Sequence, residues 1–181
     1  MVVALAGRRI DAEGATAPRF PLQNVMLVEQ RLRAFLQSRR ASTLVSSAAC
    51  GADLVAQTVV GVLGLRRRVI LPFERQRFRS TSVTDRPGEW GPLYDRLLNQ
   101  LDVTGDVVTI ESHGGDEGRT YALANLAILD HALAIGSESG QGLLAVLVWE
   151  GASRGPDDLT AAFGEEARQR GVQVMEINTL Q

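Results

Sequence analysis

Six short apolar runs, separated by longer stretches of helical period, constrain this chain more than anything else in it. They fall at residues 2–6, 43–46, 69–71, 107–110, 143–148 and 172–177. Between them, apolar residues recur at spacings of three and four. Val25, Val28, Leu32, Phe35 and Leu36 do so in residues 24–37, and Leu93, Leu97, Leu98 and Leu101 do so after Trp90-Gly91-Pro92. Strand and helix in alternation is the pattern of crossover units, because a parallel neighbour is reached only by a connection long enough to hold a helix. The run at 143–148 is apolar at every position, as a central parallel strand is when helices cover both its faces. Further helices are expected at 52–63, at 120–135 with Thr120 as N-cap, and at 159–170 ended by Gly171. The expected fold is α/β, a Rossmann-like three-layer sandwich with a mainly parallel central sheet. With 181 residues there is one well-filled core and no room for a second full domain, so residues 1–181 are read as a single domain.

Several classes of function are set aside at once. No apolar stretch approaches the roughly 18 residues of a membrane span. Residues 1–7 pass straight into Arg8-Arg9 without the pattern of a secretory leader, so they read as a first strand and the expected location is cytoplasmic. A lone Cys50 excludes an intrachain disulfide, and two isolated histidines with one thiol give no metal-ligand spacing, so no metal or cofactor is expected. The net charge of −2 argues against nucleic acid held by bulk electrostatics. All 19 basic residues are arginine, which rules out a phosphate-loop lysine, a Schiff-base lysine and a Ser-Lys dyad.

Ligands of open parallel sheets sit beyond the carboxyl ends of the strands, near helix N-termini with free backbone N–H groups. Four loops end there: Gly7-Arg8-Arg9 and residues 46–53, 73–82 and 149–160. In the second, Ser47, Ala48, Ala49 and Gly51 are small enough for a ligand to approach the backbone. Gly51→Val is accordingly expected to block a ligand while leaving the fold largely intact. Asp53 reads either as a helix cap or as a ligand contact. In the third, Arg75, Arg77 and Arg79 alternate beside Ser80, Thr81 and Ser82, suited to phosphate oxygens or to a solvated loop. Trp149 could stack on a base or close the core. Asn125 could bond a ligand or simply face water from its helix. Cys50 packs, or carries a lowered thiol pKa at a helix start. His113 lies in a polar glycine-rich loop near Glu111 and Asp116, and His131 late in a helix. Gly136-Ser137-Glu138-Ser139-Gly140 lacks the central serine of a nucleophile elbow.

In this order, Gly7-Arg8, Ser46 through Asp53, Leu71-Pro72-Phe73, Phe78 through Val83, Tyr121 through Asp130 and Trp149-Glu150-Gly151 resemble the SLOG superfamily. That group takes its name from the Smf/DprA DNA-processing proteins and the LOG phosphoribohydrolases. The resemblance covers nearly the whole chain and is nearest to domains found beside tetratricopeptide-repeat, cyclase or defence-effector modules. It implies binding or sensing of a nucleotide-derived, phosphate-bearing ligand, lined by Gly7, Arg8, Ser47, Gly51 and Asp53, with Gly151 and Thr160 in the third loop. It also implies a homodimer acting through an effector protein, or alternatively a nucleoside-monophosphate phosphoribohydrolase. Where the family carries Gly-Pro-Gly-Gly-Thr, this chain reads Gly155-Pro156-Asp157-Asp158-Leu159-Thr160. Two carboxylates thus stand where a phosphate would meet a helix N-terminus, able to meet a ribose hydroxyl or to cap the last helix.

Overall fold

A computed structural model describes residues 1–110 and 116–180. Six strands form one parallel sheet: β1 (Val2–Gly7), β2 (Thr43–Ser46), β3 (Arg66–Leu71), β4 (Val107–Thr109), β5 (Leu143–Trp149) and β6 (Gln173–Asn178). Their spatial order is β4-β3-β2-β1-β5-β6, and every adjacent pair is parallel. The chain therefore winds outward from β1 to β4, returns across the sheet and places β5 on the other side of β1. The crevice between β1 and β5 is the topological switch point of the fold.

Six helices connect the strands: α1 (Val25–Ser38), α2 (Ala52–Val62), the short α3 (Arg75–Phe78), α4 (Trp90–Asp102), α5 (Glu117–Ser139) and α6 (Leu159–Gln169). The reversal of direction sorts them into two layers, with α1, α2 and α4 on one face and α5 and α6 on the other. Each central strand feeds both cores by simple alternation. In β1, Val3 and Leu5 enter the core under α1 and α2, while Val2, Ala4 and Ala6 face α5 and α6. In β5, Val146 and Val148 take the first side and Ala145, Leu147 and Trp149 the second. No described helix is long and apolar enough to cross a membrane.

Two local expectations change. The N-cap of α5 is Asp116, whose carboxylate accepts from the Gly118 N–H, so the helix begins a turn earlier than Thr120 suggested. Thr120 is buried inside the first turn and bonds the Asp116 carbonyl through its hydroxyl. Strand β3 also starts at Arg66 rather than at Val69, because Arg66 and Arg68 lead their charged heads to Asp106 beside the strand. His113, Glu111 and the rest of 111–115 lie outside the described residues.

Candidate functional site

Beyond the carboxyl ends of β1, β2 and β5 opens a cleft of about 490 Å³. Its construction begins with two glycines. A Cβ on Gly7 would stand 2.4 Å from the Ala52 Cβ and 2.8 Å from the Val148 carbonyl, so the glycine lets α2 start directly against β1. Gly51, at φ +98°, is covered by the first loop: a Cβ there would lie 2.7 Å from the Arg8 carbonyl and 2.8 Å from the Ile10 nitrogen. The Ala52 N–H donates to that Arg8 carbonyl at 3.0 Å. The space above Gly51, which the sequence assigned to a ligand, is thus filled by the chain's own backbone, and a valine there would break this packing rather than spare the fold.

Arg8, only 4% exposed, is a structural bracket. Its Nε and Nη2 donate to both Glu150 oxygens at 2.6 and 3.0 Å, its Nη1 to Asp158 Oδ1 at 2.7 Å, and its Nη2 also to the Ala152 carbonyl at 2.8 Å. Asp158 in turn caps α6, accepting from the Thr160 and Ala161 N–H groups, while its other oxygen takes the Arg154 N–H. Burial alone would raise the Asp158 carboxyl, but Arg8 and these N–H groups outweigh it and hold the group well below the usual carboxylate range. Burial works against the Arg8 cation, and hydrogen bonds to Asp158 and Glu150 more than compensate. The N-terminus of α6 is therefore already neutralised by a carboxylate of the chain. Asp157 is exposed, so of the two acidic residues it is Asp158 that caps.

The floor of the cleft comes from the turn between β2 and α2. Asp53, 7% exposed, accepts the Ala49 N–H through Oδ2 at 3.2 Å. Burial pushes this carboxyl up to about 7, against smaller opposing effects of the Ala49 N–H and Arg9. Ser47 Oγ is also buried, and it has no partner among the described residues. Leaving such a group unmade is costly, and a polar atom left so at a cleft marks a place where another molecule completes it.

Four further arginines form the edge. Arg9 donates to the Thr81 carbonyl and to Asp85, and Arg86 approaches the same carboxylate at 3.6 Å. Arg19 shares Glu150 with Arg8, and Arg154, 49% exposed, lies 3.6 Å from Asp158. Five arginines thus share three carboxylates, while all four edge guanidinium groups stay partly open to solvent. Over the opening runs a loop whose neck is tied by Asp11, which accepts the Arg19 and Phe20 N–H groups while its own N–H donates to the Phe20 carbonyl. Buried Phe20 anchors it, and Ala12, Ala15 and Ala17 line the cleft from its exposed arch.

Of the residues singled out from sequence, Gly7, Arg8, Ser47, Ala49, Asp53, Ser82 and Thr160 line this cleft. The third loop is placed differently from its extended reading. Residues 75–78 are helical, capped by Glu74, and 79–83 form a wide turn, so winding puts Arg75 and Arg79 together at Asp95 and sends Arg77 elsewhere. Arg75 bonds Asp102 and the Asp95 carbonyl, Arg79 bonds Asp95, and Arg77 bonds Glu117. Ser80 and Thr81 turn their hydroxyls back to the Arg77 carbonyl. Asn125 donates to the Leu159 carbonyl and ties α5 to the start of α6. Trp149 is buried, bonds Glu176 through its indole N–H and carries the Arg8 guanidinium 5.4 Å from its ring centre, closing the core. Gly151 is exposed beyond it. Cys50 is fully buried and burial pushes its thiol up to about 11, which makes it packing. His131 is half-buried on α5, its pKa lowered chiefly by burial.

Sequence reasoning put Arg9 and Arg154 in loops at the ligand end without singling them out, and missed Arg19, Arg86 and the wall residue Tyr121, whose hydroxyl meets Ser82 Oγ at 2.7 Å. Only Arg9 had a local signal, since the residue after an inward Arg8 points the other way; the rest converge through topology. Comparison with protein-family models finds no match, and comparison with curated proteins finds none either.

Proposed function

We propose that this protein binds or senses a nucleotide-derived, phosphate-bearing small molecule in the cleft beyond β1, β2 and β5, and acts through an effector partner. The observation that carries this reading is the cleft itself. It lies at the switch point of a parallel sheet, has the volume of a small-ligand site, is edged by four partly open arginines, and has the unpartnered Ser47 hydroxyl and the buried Asp53 carboxyl at its floor. The resemblance to the SLOG superfamily supports the same ligand class. Calorimetric titration with mononucleotides, dinucleotides, ADP-ribose and cyclic oligonucleotides tests the proposal: saturable binding by one of them is expected, and none by any member would remove it. The same reading includes a homodimer, which a monomer at all concentrations in sedimentation would remove.

A second reading, a phosphoribohydrolase acting on nucleoside monophosphates, is favoured by one observation. Asp53 is a buried cleft carboxyl poised near neutrality, and such a group can hold or give a proton at working pH. Release of free base from nucleoside monophosphates, lost in Asp53→Asn, would establish it; intact nucleotide after long incubation would leave the binding reading alone.

A further inference from the structure

A parallel-sheet site ordinarily offers an anion the N-termini of the helices that follow its strands, because their free N–H groups and dipoles point into the crevice. In this protein both such ends at the cleft are guarded by the chain's own acid. At α6, Asp158 accepts the Thr160 and Ala161 N–H groups and is itself clamped by Arg8. At α2, Asp53 stands in the first turn, buried, with its Oδ2 on the Ala49 N–H. A phosphate brought to either end would meet a carboxyl oxygen. The partly open cations, Arg9, Arg19, Arg86 and Arg154, all lie toward the edge.

What the floor offers is of another kind. Ser47 Oγ, buried and without a partner among the described residues, and the buried carboxyl of Asp53, whose Oδ2 takes the Ala49 N–H, stand six residues apart on one strand-to-helix turn and both line the cleft. A hydroxyl and a carboxyl side by side suit a group that both donates and accepts, and a vicinal diol does so twice. Asp53 near neutrality accepts from a diol when ionised and donates to it when protonated, whereas it would meet phosphate only in the protonated state.

We infer that the ligand enters sugar-first: its ribose diol reaches Ser47 and Asp53 at the floor, and its phosphate stays at the arginine edge formed by Arg9, Arg19, Arg86 and Arg154. This rests on the nucleotide reading above and fixes the orientation within it.

The test is isothermal titration of AMP, ADP-ribose, 2′,3′-dideoxy-AMP and inorganic pyrophosphate into the wild type, Ser47→Ala and Arg86→Gln. AMP is expected to bind about 10- to 100-fold more tightly than its dideoxy analogue, the loss that follows when buried polar groups go unpaired. Ser47→Ala should weaken AMP about 10-fold and leave the dideoxy analogue unchanged. Its melting temperature should not fall, since the hydroxyl removed has no partner in the fold. Arg86→Gln should weaken AMP, dideoxy-AMP and pyrophosphate alike. Equal affinities for AMP and dideoxy-AMP, or a Ser47→Ala effect shared by both, would overturn the orientation while the nucleotide reading stands. Failure of both AMP and ADP-ribose to bind the folded wild type would overturn the orientation, and failure of the dinucleotides and cyclic oligonucleotides as well would overturn the nucleotide reading with it.

Discussion

Replacing Asp53 by asparagine is expected to stabilise the protein in a strictly pH-dependent way. The folded carboxyl titrates at about 7 against 3.8 for an ordinary aspartate, a rise caused first by burial. Because the folded value is raised, the contribution of the neutral acid is fully present below the unfolded value. It is lost as pH climbs toward the folded value, and above it an ionised Asp53 is a constant burden. About three units at 1.36 kcal/mol each make that burden roughly 4 kcal/mol. Solvent screening removes little of it, since Asp53 is 7% exposed. Asparagine keeps an oxygen for the Ala49 N–H and does not ionise. Urea unfolding of both proteins near pH 4, pH 5.5 and pH 8 should give a stability gap that is small at the first, intermediate at the second and largest at the third. Asp158 titrates in the opposite sense: its folded value is lowered, so its stabilisation is present above the unfolded value and lost as pH falls. It is common to both proteins and cancels in the gap. A gap independent of pH would refute the burial argument for Asp53.

Arg8→Ala should destabilise the fold by about 3–5 kcal/mol, because it abandons the buried carboxylates of Glu150 and Asp158; chemical denaturation near neutral pH measures this, and a loss below about 1 kcal/mol would show that the bracket is dispensable. Gly51→Ala should lower the melting temperature by an amount equivalent to about 1–3 kcal/mol, since it combines a positive φ with a backbone approach of 2.7 Å. An unchanged melting temperature would mean that the first loop is not pinned to α2 as described.

The fold was legible because its signal is periodic. Continuous apolar runs and helical spacings survive any error in boundaries, and all six strands fall where those runs lie. The departures have local causes: arginines that snorkel to Asp106 hid the first half of β3, and Asp116 capped a helix for which Thr120 was an equally good local candidate. The site was legible only where one residue's neighbourhood in sequence is also its neighbourhood in space, as for Ser47 and Asp53. Arg8 was legible as a residue lining the site but not as a bracket, because its partners Glu150 and Asp158 lie some 140 to 150 positions away. Arg75, Arg77 and Arg79 looked like one cluster because alternation reads as extended chain, whereas Glu74 starts a helical turn that leaves Arg75 and Arg79 together at Asp95 and turns Arg77 to Glu117.

The central claim is that the cleft binds a nucleotide-like, phosphate-bearing molecule, and a thermal-shift series on the wild type and Ala49→Phe tests it most directly. Ala49 lines the cleft, so the larger ring takes up part of it beside Ser47 and Asp53. A ligand at a hundred times its dissociation constant adds about 2.7 kcal/mol of stability, which for a chain of this size is a rise of roughly 5–10 °C. The account predicts that rise for at least one mononucleotide, dinucleotide, ADP-ribose or cyclic oligonucleotide with the wild type and its loss in folded Ala49→Phe. No rise with any of them, or an equal rise in the variant, would contradict it.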